Sequence, residues 1–563
     1  MPERPQELAG GGSSGDRPGP LGPSGSLGLS GSLKGAKRPM SWSGWGNPAD
    51  AAELPEAARE LVQQALGVRH HAPPVVELEA VRLPKARLPA SARRRLLDAI
   101  GDANLRDDPE TRVRHTRGKS TPDLLRIRAG EADDAPDAVL TPGSHEEVLD
   151  LLRICSEERV AVVPYGGGTS VVGGLAPSRA AFESVIALDL GRLDRLLAFD
   201  EESRTATLEP GLRGPEAEAL VGARGFTIGH QPQSFEYATV GGFAAVRSSG
   251  QASAGYGRFD ELVLALRVAA PAGTLALGRA PKSAAGPDLR ELILGSEGAF
   301  GVITAVTVQV RPAPEERVYE GWRLPSFAAG RTALRRLAQD GPLPTVLRLS
   351  DEAETALNLA GPAQLGARAG SGCLAILGYE GTAGEVEHRR AGASATIRAC
   401  GGEPDEGAGE TWRHGRYRGP YLRDALLDAG VLVETLETAT FWSGLEALYT
   451  AVSDALRRSL SDQGSPPLIL CHVSHVYPAG ASLYFTVACA ELEDPVAQWR
   501  EAKAAASEAI LATGGTITHH HGVGTDHREW YAREIGELGV KALRAVKSAL
   551  DPAGILNPGV LIP

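Results

Sequence analysis

Three glycine-rich loops, each following a predicted strand, constrain the fold of this chain more than any other feature. They are residues 164–170 (PYGGGTS), 232–242 (PQSFEYATVGG) and 295–301 (GSEGAFG). Glycine adopts positive φ angles without strain, so successive backbone N–H groups in such loops can converge on one anion. One loop alone is also compatible with a plain turn. Three together predict one long ligand held at several points, and a dinucleotide fits that description better than a mononucleotide.

The loops match neither the G-x-G-x-x-G nor the Walker pattern, so these motifs indicate neither NAD nor ATP. Around them, short apolar strands alternate with helices. Residues 144–147 (SHEE) predict a capping box that opens a helix to about residue 155. The predicted strands are 159–163, ending at Pro164, then 186–189, 205–209, 262–269 and 302–310. This alternation predicts an α+β domain of about 180 residues.

The two ends of the chain differ from this central region. Residues 1–39 are rich in Gly, Ser and Pro and contain no aromatic residue, which predicts a disordered tail. Order is expected to begin at residues 40–46 (MSWSGWG), because two tryptophans are a large apolar surface to leave in water. The remaining predicted elements are a helix at 50–66, helices at 333–337 and 422–427, a strand at 481–487 and a closing helix at 540–550.

Charge and cysteine content narrow the function classes. A formal net charge of −12 argues against non-specific nucleic-acid binding, which depends on clustered Lys and Arg. The five cysteines are widely spaced, with no Cys-x-x-Cys, so they predict neither a disulfide framework nor a zinc ribbon. There is no apolar run of 18 residues and no apolar signal region near residue 1. We therefore expect a cytoplasmic enzyme.

Residues 513–524 (TGGTITHHHGVG) hold three consecutive histidines, His519, His520 and His521. Imidazole has the side-chain pKa closest to physiological pH, so this cluster predicts proton transfer beside a bound substrate. The β-branched residues 516–518 predict a short strand leading into it, which would place His519 and His521 on one side and His520 on the other. A metal site and a surface polar run are the alternatives. Zinc ligands usually have cysteine or carboxylate partners nearby, and only Asp526 is close, so no metal is predicted.

The order of these motifs resembles the vanillyl-alcohol-oxidase (PCMH) type of flavoproteins, and within it the alkyldihydroxyacetonephosphate synthase family. The resemblance covers about residues 40–563 and includes residues 42–46 (WSGWG). The glycine loops are shared across the superfamily, whereas the triple histidine is more specific to the synthases. The resemblance implies an α+β fold with a two-part FAD-binding domain of the PCMH type and an α+β cap domain for the substrate. The implied segments are a tail at 1–39, an N-terminal helical region at 40–130, the FAD-binding domain at 131–315, the cap at 316–510, and a segment at 511–563 that returns the histidines to the flavin.

The resemblance also implies FAD as the cofactor, held without a covalent bond. Related enzymes that tether FAD often carry a histidine where this chain has Thr169 or Ser170. The implied FAD-binding residues are Pro164, Tyr165, Gly166, Gly167, Gly168, Thr169, Ser170, Gln233, Ser234, Tyr237, Thr239, Gly242, Arg247, Ser248, Ser249, Gly295, Ser296, Glu297, Gly298 and Gly301.

Further catalytic and substrate-binding residues follow from the resemblance. Tyr484 matches the family's active-site tyrosine, Arg423 matches the arginine that meets the substrate phosphate, and Arg348 matches a supporting arginine. Without the resemblance, a tyrosine in an apolar strand is usually a core residue, and a helical arginine usually faces solvent. His472 stands where animal-type synthases carry arginine, which leaves the acyl and alcohol substrates open.

The implied reaction exchanges the acyl chain of acyl-dihydroxyacetone phosphate for a long-chain fatty alcohol and forms the ether bond of ether lipids. The flavin acts as a covalent electron trap, so no external acceptor is consumed. We expect these two substrates as ligands, no nucleic acid, peripheral contact with a membrane, and a homodimer. The alternatives are an FAD-linked 2-hydroxyacid (D-lactate- or glycolate-type) oxidase or dehydrogenase, and a flavin-binding protein without turnover.

Overall fold

A computed structural model describes residues 40–69, 72–176, 179, 181–357 and 371–563. The predicted tail at 1–39 lies outside the described residues. The first helices are α1 Glu56–Leu66, α2 Ala90–Ile100, α3 Pro109–Arg114 and α4 Thr121–Arg128. The helix predicted from residue 50 was placed too early, because Pro55 occupies the N-cap of α1 and residues before it form only a short 3₁₀ turn at Pro48–Asp50.

The first sheet has four strands in the order β1-β2-β4-β3. They are β1 Leu105–Arg106, β2 Ala138–Leu140, β3 Val160–Tyr165 and β4 Ser184–Asp189. Strands β2 and β3 run parallel to β4, and β1 runs antiparallel to β2. The prediction that β3 ends at Pro164 was wrong. Because β3 is at the edge of this sheet, proline's missing N–H is tolerated and the strand continues to Tyr165.

Helix α5 His145–Glu158 connects β2 to β3. Ser144 caps it by accepting the Glu147 N–H at 3.1 Å, as predicted. The Glu147 carboxylate, however, accepts the N–H of Gly143 at 2.7 Å rather than that of Ser144, so the predicted capping box is only half formed. The helix also runs past the predicted end at residue 155, because the polar residues 156–158 continue the helical turn until Arg159 adopts a left-handed conformation (φ 57°).

The second sheet contains antiparallel strands in the order β5-β6-β10-β8-β9, while β7 pairs with β11. The strands of this region are β5 Leu196–Asp200, β6 Thr205–Leu208, β7 Phe226–Thr227, β8 Val263–Ala270, β9 Gly273–Leu277, β10 Val302–Gln309 and β11 Arg311–Pro312. Its helices are α6 Gly214–Gly222, α7 Val240–Ala245, α8 Ser253–Tyr256, α9 Phe259–Leu262 and α10 Arg290–Ile293. The strands predicted at 205–209, 262–269 and 302–310 agree with β6, β8 and β10 to within one residue at each end.

The third sheet, here called the cap sheet, has the strand order β15-β12-β14-β13-β17-β18-β16. Its strands are β12 Glu316–Leu324, β13 Val346–Ser350, β14 Cys373–Gly381, β15 Glu403–Asp405, β16 Val431–Phe441, β17 Leu468–Val476 and β18 Gly480–Ala490. The accompanying helices are α11 Phe327–Asp340, α12 Glu352–Leu357, α13 Ala383–Ala399, α14 Ala408–Gly415, α15 Gly419–Asp428, α16 Leu445–Asp462 and α17 Pro495–Ala512.

Each inner strand of the cap sheet sends alternate side chains to opposite faces. Leu483, Phe485 and Val487 of β18 are fully buried in a core that also contains residues of α11, α13, α16 and α17. Tyr484, between them, points to the other face. There its cross-strand neighbours are His472 of β17 and Glu437 of β16. One face of this sheet therefore belongs to the core and the other is available for a site.

The C-terminal residues return to the glycine loops. After α17 the chain passes through the histidine cluster into α18 Arg528–Leu550, which is interrupted at Gly536 (φ 71°, ψ 171°), so the predicted helix at 540–550 is its second part. The Val162 N–H then donates to the Ile555 carbonyl at 2.8 Å, and the Asn557 amide donates to the Glu297 carbonyl at 2.7 Å. Among the described residues, no helix combines the length and the apolar character needed to cross a bilayer.

Candidate active site

A cavity of about 810 Å³ lies between the glycine loops and the open face of the cap sheet. This volume is at the upper end of the range found for small-molecule sites. Most predicted FAD-binding residues line it: Pro164, Tyr165, Gly166, Gly167, Gly168, Thr169, Ser170, Gln233, Ser234, Thr239, Gly242, Ser248, Ser249, Glu297, Gly298 and Gly301. The three loops, separated in sequence, therefore meet at one wall.

Four other predicted FAD-binding residues, Tyr237, Arg247, Gly295 and Ser296, are not part of the cavity wall. Arg247 shows why. Its guanidinium donates to the Leu294 carbonyl at 3.0 Å and pairs with Asp260 at 3.2 Å and Glu291 at 2.6 Å. These contacts hold the side chain against the protein, outside the cavity wall. Tyr237 instead packs edge-on against Trp45, with ring centroids 5.9 Å apart.

The glycine loops pack too closely to carry side chains at their contacts. A Cβ at Gly167 would lie 2.1 Å from the Tyr237 carbonyl oxygen, and one at Gly166 would lie 2.5 Å from Thr239 Oγ1. On the same wall, the buried Gln251 Oε1 has no hydrogen-bond partner among the residues that the structure describes. Close backbone approach, hydroxyl groups and an unpaired buried acceptor fit a polar dinucleotide, and FAD in particular is compatible with these residues.

The three histidines are arranged around one buried carboxylate, Glu437. The N–H groups of His519, His520 and His521 donate to it at 2.6, 2.9 and 2.9 Å, and the Thr518 hydroxyl donates at 2.7 Å. The predicted strand geometry, with His520 facing away from its neighbours, was therefore wrong. In an extended strand successive N–H groups point to opposite sides, so they cannot converge on one group.

Glu437 was not predicted from the sequence. It is one of two glutamates in the strand VLVETLETATF, and no local motif connects it to residues about 80 positions later. The sequence contains only a weak signal for it. In a strand, residue 437 shares a face with the apolar residues 431 and 433, so a charged side chain at this position is unusual. Such a residue is 2% exposed here and requires a partner.

A second buried carboxylate holds the same loop from the opposite side. Glu297, in the third glycine loop, accepts the N–H groups of Val523 at 2.8 Å and Gly524 at 3.0 Å. A Cβ at Gly524 (φ 56°) would lie 1.8 Å from the Val172 carbonyl oxygen, so only glycine fits there. Burial raises the pKa of Glu297 to about 7, while these two N–H groups lower it. The carboxylate predicted to contact FAD thus binds the histidine loop.

Burial sets the protonation of the cluster. It lowers the pKa of His520, an effect that the charge of Glu437 opposes, and it lowers the pKa of His521 to about 3. Burial alone would raise the pKa of Glu437, but the surrounding imidazoles and N–H donors outweigh it and hold that pKa well below its usual range. Burial also raises the pKa of Tyr484 to about 12. At neutral pH the site therefore combines neutral imidazoles, an ionised carboxylate and a protonated phenol.

The predicted catalytic residues do not all reach the cavity. Tyr484, His520 and His521 line it, whereas His519 lies behind them. His519 Nδ1 is 2.9 Å from His520 Nδ1, and His519 Nε2 is 2.7 Å from the hydroxyl of Tyr477. A continuous chain of hydrogen bonds thus leads from His520 to Tyr477, which the sequence did not identify as part of the site.

Tyr484 stacks on His472, with ring centroids 4.9 Å apart and planes at 19°. His472 Nδ1 is 2.9 Å from Glu354 and 3.1 Å from the guanidinium of Arg348, which also pairs with Glu354. Arg348 lines the cavity, as predicted for a substrate-binding residue, but its charge is already balanced. This triad fixes the ring on which Tyr484 rests.

Arg423, the other predicted substrate-binding residue, also lines the cavity. Its guanidinium pairs with Asp424 at 2.9 Å and donates to the Lys119 carbonyl at 2.6 Å. Asp424 in turn accepts the Trp45 N–H at 2.5 Å, which anchors the N-terminal segment. A role of Arg423 toward substrate therefore remains a prediction.

Imidazole nitrogens of His475, His519 and His520 lie within 4.8 Å of one another, close enough for a shared metal ion. Zinc would require a fourth ligand and the loss of the 2.9 Å bond between His519 and His520. The nearby Glu437 carboxylate already accepts three backbone N–H groups. The expectation that the site holds no metal remains a prediction.

Comparison with known proteins places this site in a family context. Residues 136–277 match the FAD binding domain family, and residues 313–561 match the family of FAD linked oxidases, C-terminal domain. An alkyldihydroxyacetonephosphate synthase of Dictyostelium discoideum is 34% identical over 87% of this chain and 84% of its own length. That of Trypanosoma brucei brucei is 32% identical over 93% and 92%. A mitochondrial D-lactate dehydrogenase [cytochrome] of Arabidopsis thaliana is more distant, at 28% over 83% and 79%.

Solved structures agree with these matches. A crystal form of alkyldihydroxyacetonephosphate synthase aligns with a TM-score of 0.79 and 30% identity over 92% of this chain and 98% of its own. Substrate-bound p-cresol methylhydroxylase aligns with a TM-score of 0.65 and 16% identity over 83% and 96%, a likeness of fold alone. The predicted α+β fold with a PCMH-type FAD-binding domain is confirmed.

The glycine contacts give a first prediction. In Gly167→Ala the added methyl group would overlap the Tyr237 carbonyl, so the two loops must separate, at a cost of about 1–3 kcal/mol. We expect at least tenfold weaker FAD binding (roughly the effect of 1.4 kcal/mol) in a fluorescence titration of the apoprotein. Gly222→Ala is the control, because a Cβ there meets open space. Equal FAD affinity of both variants would contradict this account of the loops.

A second prediction concerns Glu437→Gln. A glutamine keeps one acceptor and turns an N–H₂ group toward a backbone donor, so we expect a loss of about 3 kcal/mol in the free energy of unfolding. Removal of the negative charge also lowers the pKa of His520 and His521, which that charge raises. The base must be neutral, so the acid limb of the kcat/KM profile should move to lower pH.

Glu434→Gln is the matched control, since Glu434 is a buried carboxylate of the same strand that accepts the Thr121 N–H instead. It should lower stability without moving the acid limb. Identical pH profiles for the Glu437→Gln variant and the unmodified protein would mean that Glu437 has only a structural role.

Proposed function

The chain belongs to the alkyldihydroxyacetonephosphate synthase family, and we propose that its buried histidine loop carries out the proton transfers of the synthase reaction. It is an FAD-dependent enzyme. The reaction replaces the acyl chain of acyl-dihydroxyacetone phosphate by a long-chain fatty alcohol and forms an ether bond without net redox change. The observation that carries our proposal is the set of neutral imidazoles around Glu437, facing the cavity beside Tyr484.

FAD is proposed to bind non-covalently to the three glycine loops, with Thr169 and Ser170 near it and no nucleophilic histidine in that loop. When bound, it supplies an electron sink for the reacting C1 carbon of the substrate. The chain's own residues must then bind the substrate, exclude water, and move protons.

His520 is the proposed base for the C1 proton, which is acidic because it is α to a ketone. For His520 Nε2 to accept it, the ring must carry its proton on Nδ1 and donate to His519 Nδ1, whose Nε2–H then donates to the Tyr477 hydroxyl. This tautomer chain lets positive charge on His520 spread to the buried neighbours. Tyr484, protonated at neutral pH, is placed to donate a hydrogen bond to the substrate.

The apolar tails of both substrates need a matching surface. One part of the cavity wall, here called the apolar patch, consists of residues from α1, α15, β16, β17 and β18: Leu61, Val62, Ala65, Leu66, Leu422, Leu426, Val431, Leu468 and Ala488. We propose that the acyl and alkyl chains lie here. A peripheral membrane contact and a homodimer remain predictions.

The alternative hypothesis, that the protein is an FAD-linked 2-hydroxyacid oxidase or dehydrogenase, is supported only by more distant relatives. A two- or three-carbon acid would leave the apolar patch in contact with water, which is unfavourable by about 25 cal/mol per Å². A flavin-binding protein without turnover would have no use for buried imidazoles whose desolvation lowers stability.

The test of the proposed function is anaerobic mixing of the FAD-loaded protein with palmitoyl-dihydroxyacetone phosphate and hexadecanol. We expect ether product without an added electron acceptor, and no bleaching of the flavin by D-lactate or glycolate. His520→Ala should lose about 10²–10⁴-fold in kcat, the usual contribution of a general base. The exposed His414→Ala is the control. Bleaching by a hydroxyacid with no ether formed would favour the dehydrogenase.

The apolar patch gives a separate prediction. In Ala488→Phe the new ring would displace about three methylene groups of a bound chain, each worth about 0.8 kcal/mol, so kcat/KM for hexadecanol should fall about 50-fold. Octanol, too short to reach the ring, serves as the internal control and should be little affected. An unchanged hexadecanol-to-octanol ratio would place the chains elsewhere.

A further inference from the structure

Arg416 is a buried arginine on the cavity wall whose partners are all neutral. It directly follows α14 and is 8% exposed. Its Nη2 donates to the Gln231 side-chain oxygen at 2.9 Å, and its guanidinium also hydrogen-bonds the Tyr319 hydroxyl. The guanidinium carbon lies 4.9 Å from the ring centroid of Tyr417. None of these groups neutralises the charge.

The other arginines of this wall differ in that respect. Arg323 pairs with Asp405 at 2.6 Å, Arg348 pairs with Glu354, and Arg423 pairs with Asp424 at 2.9 Å. Among the residues that the structure describes, Arg416 has no carboxylate within ion-pair distance. The residues left undescribed between positions 357 and 371 contain no Asp or Glu.

The carboxylate that acts on Arg416 from a distance is Glu380, which is separated from it by the Tyr319 hydroxyl. Glu380 accepts that hydroxyl at 2.7 Å and the Tyr256 hydroxyl at 2.8 Å, and it faces Arg317 at 3.8 Å. Its charge is therefore shared with other groups. Buried arginines are normally paired, and a planar fork of donors open to a cavity is suited to a bound anion.

We propose that Arg416 binds a phosphate group in this cavity. Aromatic contacts and the end of α14 stabilise the guanidinium in part, but they leave donors for a bidentate contact with two phosphate oxygens. The identity of the bound phosphate rests on the proposed function, which supplies two sources: the phosphate of the substrate and the diphosphate of FAD. The shared chemistry is that of a phosphate oxygen pair.

The position of Arg416 favours the phosphate of the substrate. Trp412, which lines the cavity one turn before Arg416, packs with Val346 of β13 and Ile376 of β14. Ile376 is the cross-strand neighbour of Arg348. The strand residues of the apolar patch include Leu468 and Ala488, which pair with each other four residues along β17 and β18 from the row of His472 and Tyr484. Strand β13 pairs Leu349 with Val473, so Arg348 lies beyond that row in the opposite direction. A phosphate at Arg416 therefore lies away from the place proposed for the acyl chain.

The test measures phosphate binding to the FAD-loaded protein by calorimetry, with inorganic phosphate and glycerol 3-phosphate as probes. We expect Arg416→Met to weaken both about tenfold to a hundredfold, the range for a charge-assisted hydrogen bond pair. Arg416→Lys, which keeps the charge but not the fork, should lose less. Arg413→Gln, one turn earlier on α14 and outside the cavity wall, removes a charge as the control and should bind as the unmodified protein does.

A parallel titration of the apoprotein with FAD separates the two sources of phosphate. Weaker phosphate binding with unchanged FAD affinity assigns Arg416 to the substrate, and weaker FAD binding alone assigns it to the coenzyme. Unchanged affinities for both in Arg416→Met overturn the proposal.

If Arg416→Met fails to fold, chemical labelling of the unmodified protein still tests whether Arg416 binds a phosphate group. Phenylglyoxal labelling at Arg416, read by peptide mass spectrometry, should be suppressed by inorganic phosphate or by FAD. Equal labelling with and without both ligands overturns the proposal. Absence of ether product from the unmodified enzyme would reject the synthase function, whereas the phosphate titration would still report on Arg416.

Discussion

A carboxylate buried beneath three consecutive histidines is the interaction on which this site depends. Glu437 accepts three backbone N–H groups and a threonine hydroxyl, so the charge of this buried carboxylate is distributed over four donors. Burying a charge is costly unless it is fully hydrogen-bonded, and here the donors come from the loop that must be held. The same contact fixes the backbone and sets the electrostatic potential at the imidazoles.

The histidine loop also joins the two halves of the site. Glu437 belongs to the cap sheet, whereas Glu297 belongs to the third glycine loop, and each carboxylate holds a different part of residues 518–524. Because Asn557 then donates to the carbonyls of Gly174 and Glu297, the C-terminal residues tie back to the same wall. The position of the imidazoles relative to the cofactor loops therefore depends on long-range hydrogen bonds rather than on the local conformation of the chain.

This dependence explains which features could be predicted from the sequence. The glycine content identified the three loop regions, and strands such as β8 and β10 follow from apolar runs. Two details were wrong: residues 240–242 of the second loop begin helix α7, and the third loop follows helix α10 rather than a strand. The histidine geometry was wrong because its determinant, Glu437, is 82 residues from His519. Strand β3 continues past Pro164 because it is an edge strand, where the missing N–H of proline costs no hydrogen bond. The edge position depends on how the sheet is assembled and is not visible in the local sequence. Tyr484 illustrates a further limit: within an apolar strand, only the register decides whether it faces the core or the site.

The cap sheet gives the site a polarity that suits a substrate with a charged head and an apolar tail. Across the strands β14, β13, β17, β18 and β16, the open face changes from the region of Arg416 and Arg348, through His472 and Tyr484, to the strand that carries Glu437. A phosphorylated ketone whose chain lay toward Arg416 would bury its phosphate against Leu468 and Ala488. An unpaired polar group there costs about 2–7 kcal/mol, and a charge costs more. Because Leu468 shares β17 with His472, and Ala488 shares β18 with Tyr484, the apolar end of the site is reached along these strands. This arrangement favours one orientation, the one in which C1 lies between Arg416 and the apolar patch, beside the imidazoles.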